Sequence, residues 1–192
     1  MPNDVPGEHP VAPDDRILPT LAELVGVPFA DLTRLIEALT ARGLTVATAE
    51  SLTGGLLAAV LTEVPGSSAV VRGGLIVYAT DLKAALAGVD AGLLADRGPV
   101  DPEVATALAA GARMRCGAGI GIGLTGVAGP DPQDGVAVGT WYVAISGPGD
   151  RASLASSDPF ATRLDRAGLR ARAVRAALAL LASTAHADAT VS

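Results

Sequence analysis

Residues 44–55 read LTVATAESLTGG. The first six predict a β-strand, and residues 54–64 predict a helix that Pro65-Gly66 ends. A strand that turns straight into a helix is the building unit of layered α/β folds. Upstream, Leu32, Leu35, Ile36 and Leu39 recur at helical spacing, so a helix is expected over 29–42, stopped by Gly43. Downstream, 69–79 (AVVRGGLIVYA) predicts a second strand, and its paired glycines point to a bulge or a close backbone approach. Short helices are expected over 81–86 and 90–96. Asp101 suits an N-cap and Pro102 a first turn, so a longer helix should run to about Cys116. Residues 119–124 predict a third strand, apolar throughout and so expected to be central, before a loop over 126–136. Residues 137–145 and 151–157 predict a hairpin around SGPGD, and 162–182 a long amphipathic helix.

Helices alternate with strands at first, and a hairpin follows. The expected fold is therefore α/β, a three-layer α/β/α sandwich with a mixed, mostly parallel sheet. One domain is expected over 29–183. It lies between a partly disordered tail over 1–28, with a short helix within 17–28, and a tail over 184–192. A chain of 192 residues has room for one full core and little more. Hydrophobic residues are 49% of it but aromatic residues only 3%, so the core must be built from Ala, Val, Leu and Ile.

Composition also excludes function classes. A net charge of −6 argues against nucleic acid as a partner, because neutralising phosphates needs a basic face. An anionic small molecule stays open if a few Arg gather locally. One cysteine, Cys116, rules out an internal disulfide and a cysteine zinc cluster. The start MPNDVPGEHP lacks a basic n-region and an apolar h-region, and no apolar run reaches ~18 residues. The expectation is a cytoplasmic protein with no membrane span. The two histidines, His9 and His186, both fall in the expected tails, so a Ser-His-Asp triad, a Cys-His pair and a histidine metal site are not expected. The base of a hydrolase built on this chain must be Lys, Tyr or a carboxylate.

Three features carry chemistry. Lys83 is the only lysine among fourteen basic residues, and Lys, unlike Arg, can lose its proton when desolvated. Its plainer reading is a surface lysine on a short helix. AESLTGG (49–55) puts Ser51 at the sheet edge, with Thr53, Gly54 and Gly55 expected to expose backbone N–H groups at a helix N-terminus. Such a corner can present a hydroxyl nucleophile and hold an oxyanion; the plainer reading is ordinary N-capping. GIGLTGVAGP (121–130) satisfies G-x-G-x-x-G literally, but Pro130 and Pro132 forbid the helix that a dinucleotide fingerprint must open. It reads as a strand ending in a glycine-rich loop, with Thr125 at the tip and Gly126 next to it. Ligands of open α/β sheets bind at such strand ends.

Taken together, AESLTGG, PGSSAVVRGGLIVYATDLK (65–83), LTGVAGP (124–130) and VGTWYVAI (138–145) resemble the CinA C-terminal domain family over about residues 32–181. The resemblance implies hydrolysis of the amide of nicotinamide mononucleotide to nicotinic acid mononucleotide and ammonia, which returns the nucleotide to NAD synthesis. It implies Ser51 as nucleophile, Tyr78 and Lys83 as the candidate bases and Thr125 in the substrate loop. Arg166, with Arg170, is implied near the substrate phosphate, since DRAGLR (165–170) resembles the family's C-terminal motif. Neither metal nor cofactor is implied, the partner is a small pyridine nucleotide, and a homo-oligomer is expected. The alternative is a non-catalytic nucleotide-binding module of the competence/damage-inducible type. Leu52 stands where many members carry Cys, and Asp131-Pro132 where Gly-Gly is usual.

Overall fold

The computed structural model describes residues 19–147, 152–157 and 164–186. The tail expected over 1–16, with His9, the tip of the SGPGD turn, position 162 and the positions beyond 186 lie outside the described residues.

Strand β1 (Val46–Glu50) is buried along its whole length because it is paired on both sides. β2 (Val71–Ile76) and β3 (Ile120–Gly126) flank it, both parallel. β4 (Trp141–Ser146) pairs antiparallel with β3, and β5 (Ala152–Ser156) antiparallel with β4. The order is β2-β1-β3-β4-β5, so β3 is the middle strand, and only β4 runs against the other four. Between Val46 and Ala47 the register with β2 slips by one residue, at Arg72. This is the bulge that the paired glycines predicted.

Helices cover both faces. On one, α6 (Pro102–Arg115), with α4 (Thr80–Ala85) and α5 (Ala91–Arg97), closes over Ala47, Ala49 and Val77, and Leu108 of α6 belongs to the same cluster. On the other, α2 (Phe29–Ala41), α3 (Leu56–Thr62) and α7 (Arg166–His186) bury Leu32, Leu57, Ile122, Val143 and Val174. The short α1 (Leu21–Leu24) packs beside them, its first N–H groups bound by the Glu63 carboxylate at 2.7 and 3.1 Å.

The glycines of β3 are there for helix packing. A Cβ at Gly121 would fall 1.9 Å from the Ala109 carbonyl oxygen, and one at Gly123 2.2 Å from that of Ala105. The backbone of α6 therefore lies directly on the strand, and any side chain at either position would push helix and sheet apart.

Three element boundaries differ from expectation. α3 starts at Leu56 and not at 54, because Gly54 and Gly55 take φ of +59° and +92° and cannot continue a right-handed helix. β4 starts at Trp141 and not at 137, because residues 137–140 turn, with Thr140 N donating to Ala137 O (3.2 Å) and Gly139 at a φ of +94°. α7 starts after Asp165, whose carboxylate accepts from Gly168 N at 2.8 Å, and runs to His186. The last carbonyls of α7 are met by Arg42, which donates to Thr184 and Ala185. His186 thus belongs to α7 and not to a tail.

Candidate active site

The carboxyl ends of the three parallel strands lie together at one edge of the sheet: Glu50 of β1 is level with Ile76 of β2 and Leu124 of β3. Each strand hands the chain to a functional segment there. Ser51 follows β1, residues 77–83 follow β2, and the glycine-rich loop follows β3. Backbone bonds tie these exits together, from Ser51 N to Leu124 O (3.0 Å) and from Val77 N to Glu50 O (2.9 Å).

Lys83 reaches back from α4 toward this edge and is only 1% exposed. Its Nζ lies 3.0 Å from Ser51 Oγ, 2.9 Å from Val77 O and 3.4 Å from Tyr78 O. Burial lowers its pKa from 10.5 to about 8, with the charge of Asp81 pulling the other way. The three contacts have a chemical consequence. The protonated amine donates to all three oxygens. Once it loses a proton, two N–H groups stay on the two carbonyls, which can only accept. The lone pair must then face Ser51, the one neighbour that has a proton to give.

Ser51 is nearly buried, at 7% exposure, and lines a cavity of about 310 Å³ with Tyr78, Gly126, Gly129, Asp131 and Arg166. Arg166 spans its wall. One guanidinium nitrogen donates to Gly129 O (2.6 Å) and the other to the Tyr78 hydroxyl (2.8 Å). Tyr78 is more than half exposed, and its hydroxyl is engaged by Arg166.

Not every expected residue faces this cavity. Thr125 is fully buried within β3 and donates its hydroxyl to Pro99 O (2.6 Å), so it clamps the segment before α6 and does not line the cavity. Arg170 donates to Thr53 O (2.6 Å) and holds the serine turn from outside the cavity wall. The N–H groups expected to be free at Gly54 and Gly55 are occupied: Gly54 N donates to Ser51 O (3.0 Å) and Gly55 N to Glu50 (3.0 Å). The N–H groups of Leu52 and Thr53 have no acceptor among the described residues, nor has the buried Thr53 hydroxyl.

Glu50 is the functional residue that the sequence reading missed. It is fully buried, and its carboxylate accepts four hydrogen bonds. Three come from Gly55 N, Leu57 N and Ala58 N at 2.8 to 3.0 Å, and the fourth from Thr48 Oγ1 at 3.1 Å. The positive end of α3 is thereby neutralised from within the protein, and the turn carrying Ser51 is tied down on both sides. A lone acidic residue closing an otherwise uncharged strand was the available signal.

No described helix is long and apolar enough to cross a membrane, and no group of three or more metal-ligating side chains occurs among the described residues.

The comparisons with known proteins agree with this architecture. A CinA-like protein of Frankia casuarinae is 49% identical over 140 residues, covering 73% of this chain and 31% of that protein. A CinA-like protein of an Anaeromyxobacter species is 44% identical over 172 residues, 87% of this chain and 41% of that protein. The chain thus spans less than half the length of these relatives. Among solved structures, the competence/damage inducible protein CihA of Agrobacterium tumefaciens superposes with a TM-score of 0.75 at 34% identity, over 86% of this chain and 96% of that one. The model of the CinA C-terminal domain matches residues 31–185, and the chain belongs to that family.

Proposed function

We propose that this chain hydrolyses the carboxamide of nicotinamide mononucleotide to nicotinic acid mononucleotide and ammonia. The family likeness supplies the substrate. The observation that carries the reaction is the 3.0 Å contact between Lys83 Nζ and Ser51 Oγ beside the cavity. Lys83 takes the hydroxyl proton as Ser51 Oγ forms a bond to the amide carbon. The N–H groups of Leu52 and Thr53 are the donors left for the oxyanion, since those of Gly54 and Gly55 are engaged within the turn. Lys83 returns its proton to the leaving nitrogen, the C–N bond breaks and ammonia departs. Water then attacks the acyl-enzyme and gives a proton to Lys83, which passes it to Ser51 Oγ as the ester bond breaks, so that the hydroxyl and the free amine are both restored. In this reading Lys83 is the base, and Tyr78 steadies Arg166, whose guanidinium meets the substrate phosphate.

We take the enzyme to be cytoplasmic, homo-oligomeric and free of a cofactor. The test is chromatography of the products formed from nicotinamide mononucleotide by the purified chain and by Ser51→Ala. Nicotinic acid mononucleotide and ammonia in equal amounts are expected from the first and none from the second. Tight binding without turnover would favour a nucleotide-binding module instead.

A further inference from the structure

Two charged side chains line the Ser51 cavity, Arg166 and Asp131. Arg166 is committed to Gly129 O and the Tyr78 hydroxyl. Asp131 is exposed and, among the described residues, has neither an ion pair nor a hydrogen bond. The loop that bears it is pinned on either side. Arg166 holds it at Gly129, and at the other end Gln133 and Val136 exchange backbone bonds of 3.1 and 2.8 Å. That exchange closes a tight turn at Asp134-Gly135, where both residues take positive φ, 48° and 79°. The backbone on either side of Asp131 is held in this way, which keeps its unpartnered carboxylate at the cavity wall. A purely anionic ligand that satisfies Arg166 is opposed by it, whereas a ligand carrying a cation as well satisfies both.

We propose that Asp131 is a specificity-determining residue that selects a cationic ring on the substrate. The proposal rests on the amidase reading, and the chemistry of that substrate fits it. The ring nitrogen of nicotinamide mononucleotide bears a permanent positive charge, and its phosphate is the anion for Arg166. Hydrolysis replaces the neutral carboxamide by a carboxylate, so the product has one more negative charge than the substrate. Asp131 therefore favours substrate over product, and it favours the oxidised ring over the uncharged dihydro ring.

The test is isothermal titration calorimetry in the Ser51→Ala background, where nothing turns over. Three ligands are titrated, nicotinamide mononucleotide, its dihydro form and nicotinic acid mononucleotide, into chains carrying Asp131, Asp131→Asn or Asp131→Glu. Asp131→Asn should weaken nicotinamide mononucleotide by up to about fivefold and leave the dihydro form within about 1.5-fold, as expected for one charge pair formed by an exposed carboxylate. The product should tighten relative to the substrate, and Asp131→Glu should keep the original order of affinities. An equal change for all three ligands, or none for any, overturns the proposal. A Ser51 chain that releases ammonia from nicotinamide mononucleotide while the affinity ratios are unmoved by Asp131→Asn overturns this proposal alone. Absence of both ammonia release and nucleotide binding overturns the amidase reading with it.

Discussion

Lys83 Nζ and Ser51 Oγ lie 3.0 Å apart although 32 positions of chain separate them. Parallel pairing is what brings them together. β1 and β2 run in the same direction side by side, so the residue after one strand and the helix after the other emerge at the same sheet edge. α4 starts only four residues beyond β2, which lets its lysine fold back onto the carbonyls of Val77 and Tyr78.

Lys83→Arg is expected to be nearly as damaging as Lys83→Ala, each losing about 10²–10⁴-fold in kcat/KM, because Arg keeps its proton in a protein. The lysine is active as the free amine, so the rate of the unaltered enzyme should rise with pH, reach half its plateau near pH 8 and fall away below that. The rising limb should be missing from Lys83→Arg. An arginine variant with most of its activity and the same pH profile would move the base role to Tyr78 or a carboxylate.

The lowered pKa also has a stability signature. Between about 8 and 10.5 the unfolded chain binds a proton at Lys83 that the folded chain does not, so folding stability from this group rises with pH across that window. Below pH 8 the buried ammonium is a standing cost of about 3 kcal/mol. Denaturant unfolding of the unaltered chain and of Lys83→Met at pH 7.5, 9 and 10 measures this. The difference should move toward the unaltered chain by up to that amount as pH rises. A constant difference would show that the amine is not desolvated in the fold.

Arg166→Ala should weaken binding of the nucleotide far more than binding of the dephosphorylated nucleoside, by about tenfold or more, as for loss of a charge-assisted contact. Arg166→Lys should recover part of the nucleotide affinity through its charge but not all of it. A single ammonium cannot offer the planar fork that now spans Gly129 O and the Tyr78 hydroxyl. Equal losses for nucleotide and nucleoside would assign Arg166 to holding the loop and not to the phosphate. Calorimetry with both ligands decides it.

Glu50→Gln should lower unfolding stability by about 2–4 kcal/mol, although it changes only one atom and removes one charge. Each carboxylate oxygen accepts two hydrogen bonds, Oε1 from Thr48 and Ala58 and Oε2 from Gly55 and Leu57. Turned to the Oε2 position its NH₂ group faces the Gly55 and Leu57 N–H groups, and turned to Oε1 it faces the Ala58 N–H, with only the Thr48 hydroxyl able to rotate and accept from it. The loss should appear as a lower denaturant midpoint, and kcat should fall as the Ser51 turn loosens. A midpoint equal to that of the unaltered chain would show that the α3 N–H groups have other acceptors.

Much of this protein follows from local sequence. Helical spacing in 29–42, the Asp101-Pro102 start of α6 and the apolar run of β3 are short-range signals, and each produced the element it predicted. Ser51 at a strand-to-helix corner is legible for the same reason, because strand, turn residues and helix are contiguous in the chain. The partners of these groups were settled only by the tertiary structure. Whether Lys83 sits on the surface or buried against Ser51 depends on β2 lying beside β1. Whether Thr125 faces the ligand or clamps Pro99 depends on how α6 enters. Gly54 and Gly55 looked like free helix donors until left-handed backbone and the Glu50 carboxylate took them out of that role. A sequence displays which groups can donate, accept or ionise. Which of them meet, and in what dielectric, is decided by contacts between residues dozens of positions apart, and those are created only when the sheet assembles.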